Sequence, residues 1–314
     1  MKYLIVGAGG TGGAIGGYLA RAGKDVTLIA RGAHLQAMQE NGLKFETPQG
    51  DFAVPVSACT SEEYEGSPDA VFVCVKGYSL EGIVPFLSRI CRPDTVVIPI
   101  LNIYGTGGRL QKLLPGAMVT DGCIYIASEI KCPGTILLSG AIFRVIFGPR
   151  RDASGPLKET LLPVLSSVRA DLEEAGIESV LSDAIERDAL QKFSFVSPMA
   201  AAGAYYGVSA FALQARGQMR NTFLALVREI RDLADAMGIS LPEDIGEINL
   251  RILDRLAPTA TASMQRDLRD GKPSEMDGLI FEVVRLGKRY DVPTPVYEMI
   301  AEKFASCGDT ERKG

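Results

Sequence analysis

Behind a short apolar run, Lys2 to Val6, the chain turns through GAGGTG and continues as GAIGGYLARAG. The turn fits G-x-G-x-x-G with Gly7, Gly9 and Gly12, and it separates a strand from a helix carrying Ile15, Tyr18 and Leu19. Each glycine answers a steric demand. The first permits a tight strand-to-helix turn, the second lets the backbone approach a pyrophosphate, and the third lets helix and strand pack closely. A phosphate would then meet the helix N-terminus, where unpaired N–H groups and the helix dipole favour an anion. Gly7, Gly9, Gly10, Thr11 and Gly12 are therefore the expected dinucleotide-binding loop. A glycine turn without a ligand is the plainer alternative.

The rest of the first half alternates strand and helix patterns, as a parallel sheet covered on both faces requires. A second strand is expected over Asp25 to Ala30, a short helix over Gly32 to Asn41, and an extended excursion from Leu43 to Cys59 with a turn near Gly50. Ala70 to Val75 and Thr95 to Leu101 are continuous apolar runs of the kind a doubly covered strand shows, with a helix over Tyr78 to Ile90 between them. From Met118 to Pro149 short β runs (Ile124 to Ala127, Gly134 to Leu138, Phe143 to Phe147) read as an extension of the same sheet. Leu161, Leu165, Val168 and Leu172 mark one face of a helix over Leu157 to Ala175, followed by a strand-like piece, Glu178 to Leu181. Beyond Asp183 almost everything reads as helix: Ala184 to Ala202, then pieces around 219–237, 245–256, 274–290 and 295–304. The expectation is an α/β protein with a Rossmann-type doubly wound domain over 1–182 and an all-helical domain over 183–314.

Composition excludes several classes. With 33 Lys and Arg against 38 Asp and Glu, nothing indicates a nucleic-acid partner or an acidic membrane surface. The uncharged stretch between Lys192 and Arg216 is long enough to span a bilayer, but its serines, glycines and Pro198 fit a helix buried inside a soluble domain. The six cysteines, Cys307 included, are scattered without a C-x-x-C pair, which fits a reducing, cytoplasmic setting. The one histidine, His34, reads as a surface helix residue, so triad or zinc chemistry built on histidine has little to work with, and no metal is expected.

Residues at the carboxyl ends of parallel strands line the ligand crevice of such sheets, which is where Lys76 and Asn102 fall. A solvated charge and a turn residue are the competing readings. Where an NAD-binding chain has an acid at the end of the second strand, this one reads LIARG. Arg31 suits a 2′-phosphate through bidentate, charge-assisted hydrogen bonds, favouring NADPH over NADH. Carbonyl reduction also needs a proton donor. Lys192, heading the uncharged stretch, would have its pKa lowered by desolvation, unless it merely snorkels. Glu275, beside a prospective N-cap Ser274, could equally serve the helix dipole.

Taken together, GAGGTG, Arg31 in LIARG, Lys76, Asn102 with Gly105 and Thr106, Lys192, Ser263 in TASMQRD and Glu275 in GKPSEMD resemble the ketopantoate reductase family (2-dehydropantoate 2-reductases) over nearly the whole chain. The resemblance implies a helical domain like that of 6-phosphogluconate dehydrogenases, with the active site in the cleft between the domains. It implies NADPH-dependent reduction of a 2-keto acid, by default 2-dehydropantoate to pantoate in pantothenate biosynthesis. Lys192 would be the general acid and Asn102 would position it and the carbonyl. Ser263 and Glu275 would contact the substrate's carboxylate and hydroxyl ends, Arg31 the 2′-phosphate, Lys76 the cofactor or substrate, and Asn102 the cofactor as well. A homodimer is also implied. Two departures bear on the substrate: the family's Q-N-G is L-N-I here, and its asparagines four and eight residues after the lysine are Val196 and Ala200. A bulkier or less polar 2-keto acid is thus an alternative, as is an opine-like substrate. A protein that binds NADPH without turnover is a third reading, against which the retained Lys192, Asn102 and Glu275 argue.

Overall fold

The structure is a computed structural model describing residues 1–311, without the side chains of 156 and 307–311, so the Cys307 side chain lies outside the described residues. The chain divides into two units: Met1–Leu101 with Gly105–Asp188, and Asn102–Tyr104 with everything from Ala189 on. The division falls inside a helix, and three residues of the first half belong to the second unit. Both features differ from a simple cut at 182/183.

The first unit opens with β1 (Lys2–Val6), α1 (Gly10–Arg21), β2 (Asp25–Ile29), α2 (Gly32–Asn41), β3 (Leu43–Glu46), β4 (Phe52–Val54), β5 (Ser57–Cys59) and β6 (Ala70–Val73). It continues through α3 (Val84–Ile90), β7 (Val96–Pro99), α4 (Thr106–Leu113), β8 (Met118–Val119), β9 (Asp121–Cys132), β10 (Thr135–Gly148), α5 (Gly155–Glu174) and β11 (Glu178–Leu181). Six of the strands form an all-parallel sheet in the order β5-β2-β1-β6-β7-β8. Alternate residues of β1 enter different cores, Tyr3 and Ile5 on one side and Leu4 and Val6 on the other. Period-two alternation of a wholly apolar strand requires just that division.

The region read as a sheet extension is instead a second sheet. β11, β10, β3 and β4 lie in that order with β9 paired antiparallel to β10. The three short runs are two long strands, and the register slips between Leu138 and Phe143. Helix α1 packs against both sheets. A Cβ at Gly16 would come within 3.0 Å of Ile5 and Leu28, and one at Gly17 within 2.3 Å of Phe45. Its glycine content is therefore a packing requirement on two faces, beyond what the nucleotide turn asks. The face expected on α5 is realised, with Leu161, Leu165, Val168 and Leu172 wholly buried.

The second unit is helical: α6 (Ile185–Tyr206), α7 (Ala210–Gln214), α8 (Gln218–Ala236), α9 (Ile245–Arg255), α10 (Ser263–Arg269), α11 (Glu282–Tyr290) and α12 (Pro295–Glu311). A single π turn, Asp277–Phe281, precedes α11. The helix expected to start at a Ser274 cap thus begins with that turn instead. The uncharged stretch after Lys192 forms the inner part of α6 and α7, with Ala200, Ala201 and Ala202 wholly buried. Among the described residues no helix is long and apolar enough to cross a membrane.

Candidate functional site

In the parallel sheet, the strand order reverses between β1 and β6, and ligands of such sheets bind outside the carboxyl ends of the strands at that point. The glycine turn lies there. Gly7 has φ +100, and a Cβ on it would meet the backbone of Cys74 and Val75 at 3.0 Å, just beyond β6. A Cβ at Gly12 would come within 2.1 Å of the Gly7 carbonyl oxygen. At Gly9 the same construction meets nothing within 4 Å, so the second glycine faces open space. The first turn of α1 carries no acid. A dianionic pyrophosphate therefore fits here, with Gly10 and Thr11 opening the helix beneath it. Lys76 follows the end of β6 and is half-buried, and Arg31 follows β2, exposed, at the N-cap of α2.

His34 is the residue that sequence reasoning missed in this unit. It is half-buried rather than on the surface, and both ring nitrogens are engaged. The Gly134 N–H donates to Nδ1 at 3.0 Å, so the proton must sit on Nε2, which lies 2.9 Å from the Ala8 carbonyl oxygen. The neutral ring thus ties the glycine turn to the β9–β10 hairpin. Burial pushes its pKa below the usual value. Only its position on α2 opposite that hairpin makes this bridge, and no local pattern announces it.

Farther along, the Gly107 N–H in the first turn of α4 donates to Asp121 Oδ1 at 2.8 Å. Burial raises the Asp121 pKa to about 7, against the opposing pull of that amide and of Arg150. A carboxyl group at a helix N-terminus here holds the segment that follows Asn102.

In the second unit the structure brings Lys192 and Asn102 together. The Lys192 ammonium, on α6 and 9% exposed, donates to Asn102 Oδ1 at 2.6 Å. Buried Asn249 of α9 donates from Nδ2 to the Ser194 carbonyl at 2.9 Å and to its Oγ at 3.0 Å, bracing α6 two residues past the lysine. The neighbour of Asn102, Ile103, packs on Gly278 of the π turn: a Cβ there would come within 2.4 Å of Ile103 Cδ1. Glu275 lies two residues before that turn and is 5% exposed. Ser263 is half-buried at the start of α10. Of the two positions where asparagines are replaced, Ala200 is wholly buried in the helical core, whereas Val196 is half-buried at its edge.

The first unit carries a glycine turn with room for an anion, and the second, by itself, carries a buried, oriented ammonium group; a hydride-transfer enzyme needs groups of both kinds. Comparison with known proteins agrees. The family described as "Ketopantoate reductase PanE/ApbA" matches residues 3–152, and its C-terminal counterpart matches residues 184–306. The 2-dehydropantoate 2-reductase of Mesorhizobium japonicum is 27% identical, over 96% of this chain and 95% of its own. An "Uncharacterized oxidoreductase YkpB" from Bacillus subtilis is also 27% identical, over 96% of each chain. The crystal structure of a PanE/ApbA family ketopantoate reductase from Ralstonia eutropha matches with a TM-score of 0.87 at 27% identity, over 99% of this chain and 100% of that one. With both of its units matched by the two halves of one family, and the whole matched by relatives of equal extent, the chain belongs to the ketopantoate reductase family of oxidoreductases.

Proposed function

We propose that the protein reduces a 2-keto acid to the 2-hydroxy acid with NADPH, 2-dehydropantoate to pantoate being the default reaction, with Lys192 as general acid. The observation that carries this reading is the buried Lys192 ammonium held by Asn102. Bound NADPH supplies the hydride to the keto carbon. As the carbonyl oxygen gains charge, Lys192 gives it a proton from Nζ, leaving a neutral amine that solvent reprotonates. Asn102 takes one ammonium N–H, which orients the remaining donors. Glu275 would repel a substrate carboxylate, so it suits the hydroxyl end, and the Ser263 hydroxyl suits the carboxylate. Arg31 would pair with the 2′-phosphate, where a lone acid would instead have held a ribose hydroxyl. Lys76 would meet the cofactor.

A second reading, a bulkier or less polar 2-keto acid, is favoured by Val196 and Ala200, apolar residues where many family members carry hydrogen-bonding asparagines. An unpaired buried polar group costs about 1–3 kcal/mol, enough to shift preference roughly 5- to 150-fold. Both readings are tested by following NADPH absorbance with 2-dehydropantoate and a series of larger 2-keto acids. Turnover of 2-dehydropantoate above the others supports the default, the reverse order supports the second, and no oxidation with any of them overturns both.

A further inference from the structure

A π turn widens the helix by shifting its bonds from i→i+4 to i→i+5, is rare, and is found frequently at functional sites. Here it begins two residues after Glu275, with Met276 as its N-cap, and Leu279 is bonded in two directions. Its N–H donates to the Glu275 carbonyl at 3.0 Å, and its own carbonyl accepts from Ser197 Oγ at 2.6 Å. Ser197 Oγ lies 2.5 Å from the Tyr297 hydroxyl. Ser197 and Tyr297 are wholly buried and Leu279 is 2% exposed.

The proton count sets the direction of this chain. A carbonyl can only accept, so the single Ser197 proton goes to Leu279, and Tyr297 must donate to Ser197. Burial raises the Tyr297 pKa well above its usual value, so the phenol keeps that proton. Tyr297 is itself anchored. Glu229 of α8 accepts from the N–H groups of Val296 at 2.7 Å and Tyr297 at 3.1 Å, in the first turn of α12. On its other side the turn rests on Ile103 through Gly278.

We propose that Tyr297 and Ser197 are positioning residues: their hydroxyl chain holds the π turn through the Leu279 carbonyl and so fixes where Glu275 meets substrate. This rests on the substrate role of Glu275 given above. A shift of Leu279 carries the Glu275 backbone with it, because one residue is bonded to both. The effect belongs in substrate binding and not in cofactor binding.

The test uses the full-length protein with NADPH and 2-dehydropantoate, or the keto acid of the series that it turns over. Tyr297→Phe removes one oxygen without changing ring shape, and Ser197→Ala is its companion. Each is expected to raise KM for the keto acid about 5- to 20-fold, the usual effect of one lost buried hydrogen bond, with smaller change in kcat and unchanged NADPH affinity. Adding Glu275→Gln to either should raise KM no further than Glu275→Gln alone. A lower melting temperature with unchanged KM would overturn the positioning role, as would losses that multiply with Glu275→Gln. If Glu275→Gln alone leaves KM unchanged, the substrate role of Glu275 falls, and the positioning role with it.

Discussion

Lys192 and Asn102, 90 residues apart in sequence, share a 2.6 Å hydrogen bond that fixes the direction of a buried ammonium. If that ammonium is the proton donor, Lys192→Ala should lower kcat by roughly 10²–10⁴-fold, the range for loss of a general acid. NADPH affinity, measured by fluorescence titration, should change little. Asn102→Ala should lose less, since the ammonium remains but is no longer aimed. Equal losses of turnover and cofactor affinity in Lys192→Ala would remove it from the chemistry.

Arg31 follows β2 as the N-cap residue of α2 and is exposed, and the proposed preference for NADPH rests on it. If Arg31 pairs with the 2′-phosphate, Arg31→Glu reverses the charge facing it. It should weaken NADPH much more than NADH, by roughly tenfold or more given the strength of charge-assisted pairs. A parallel titration of both cofactors checks this, and an unchanged ratio would mean that the 2′-phosphate is held elsewhere.

The neutral His34 bridge between Ala8 and Gly134 has a pH signature. Its pKa is lowered by burial, so below about 6.5 the unfolded chain takes up a proton before the folded protein does. Folding stability contributed at this site is therefore present at neutral pH and lost as the pH falls below that value. Melting temperatures recorded from pH 7 downward should fall less steeply for His34→Ala than for the parent. The same variant should bind NADPH more weakly, because the glycine turn loses a tether.

Asp121 has the opposite sign. Its folded pKa of about 7 lies above the ordinary value of 3.8, so the folded state holds a proton that the unfolded chain has released. Stability at this site is full below about pH 4 and is lost as the pH rises toward 7. Asp121→Asn keeps an oxygen for the Gly107 N–H and cannot ionise. It should be more stable than the parent at pH 8, with a flatter melting curve against pH between 4 and 7. Greater stability of the parent at pH 8 would show that the carboxylate form is the better helix cap.

What was legible in the chain was what local periodicity encodes. Gly32–Asn41, Glu178–Leu181 and the buried face of α5 followed from spacing alone, because an apolar stripe and a strand run are written within a few residues. The second sheet was not legible. β10 slips register between Leu138 and Phe143, which breaks the alternation that would have marked one long strand, and its partners β3 and β11 come from distant parts of the chain. The π turn at 277–281 was hidden for a similar reason, since the bond to its Leu279 carbonyl comes from a buried serine of α6 that is bonded in turn to a tyrosine of α12.

By itself the sequence determined the parallel sheet, its glycine turn, the helical character of the second half, and which cationic and polar side chains could carry chemistry. Those properties depend on residue type and short spacing, which pairing of apolar surface and backbone conformational preference read directly. Tertiary structure alone decided that Ile103 would need a glycine at 278 and that the one histidine would tie down the turn at Ala8, and it set the 2.6 Å contact between Asn102 and Lys192, which only the family resemblance had paired. Each of these joins residues far apart in the chain, and only the packed fold sets distances of a few ångströms between them.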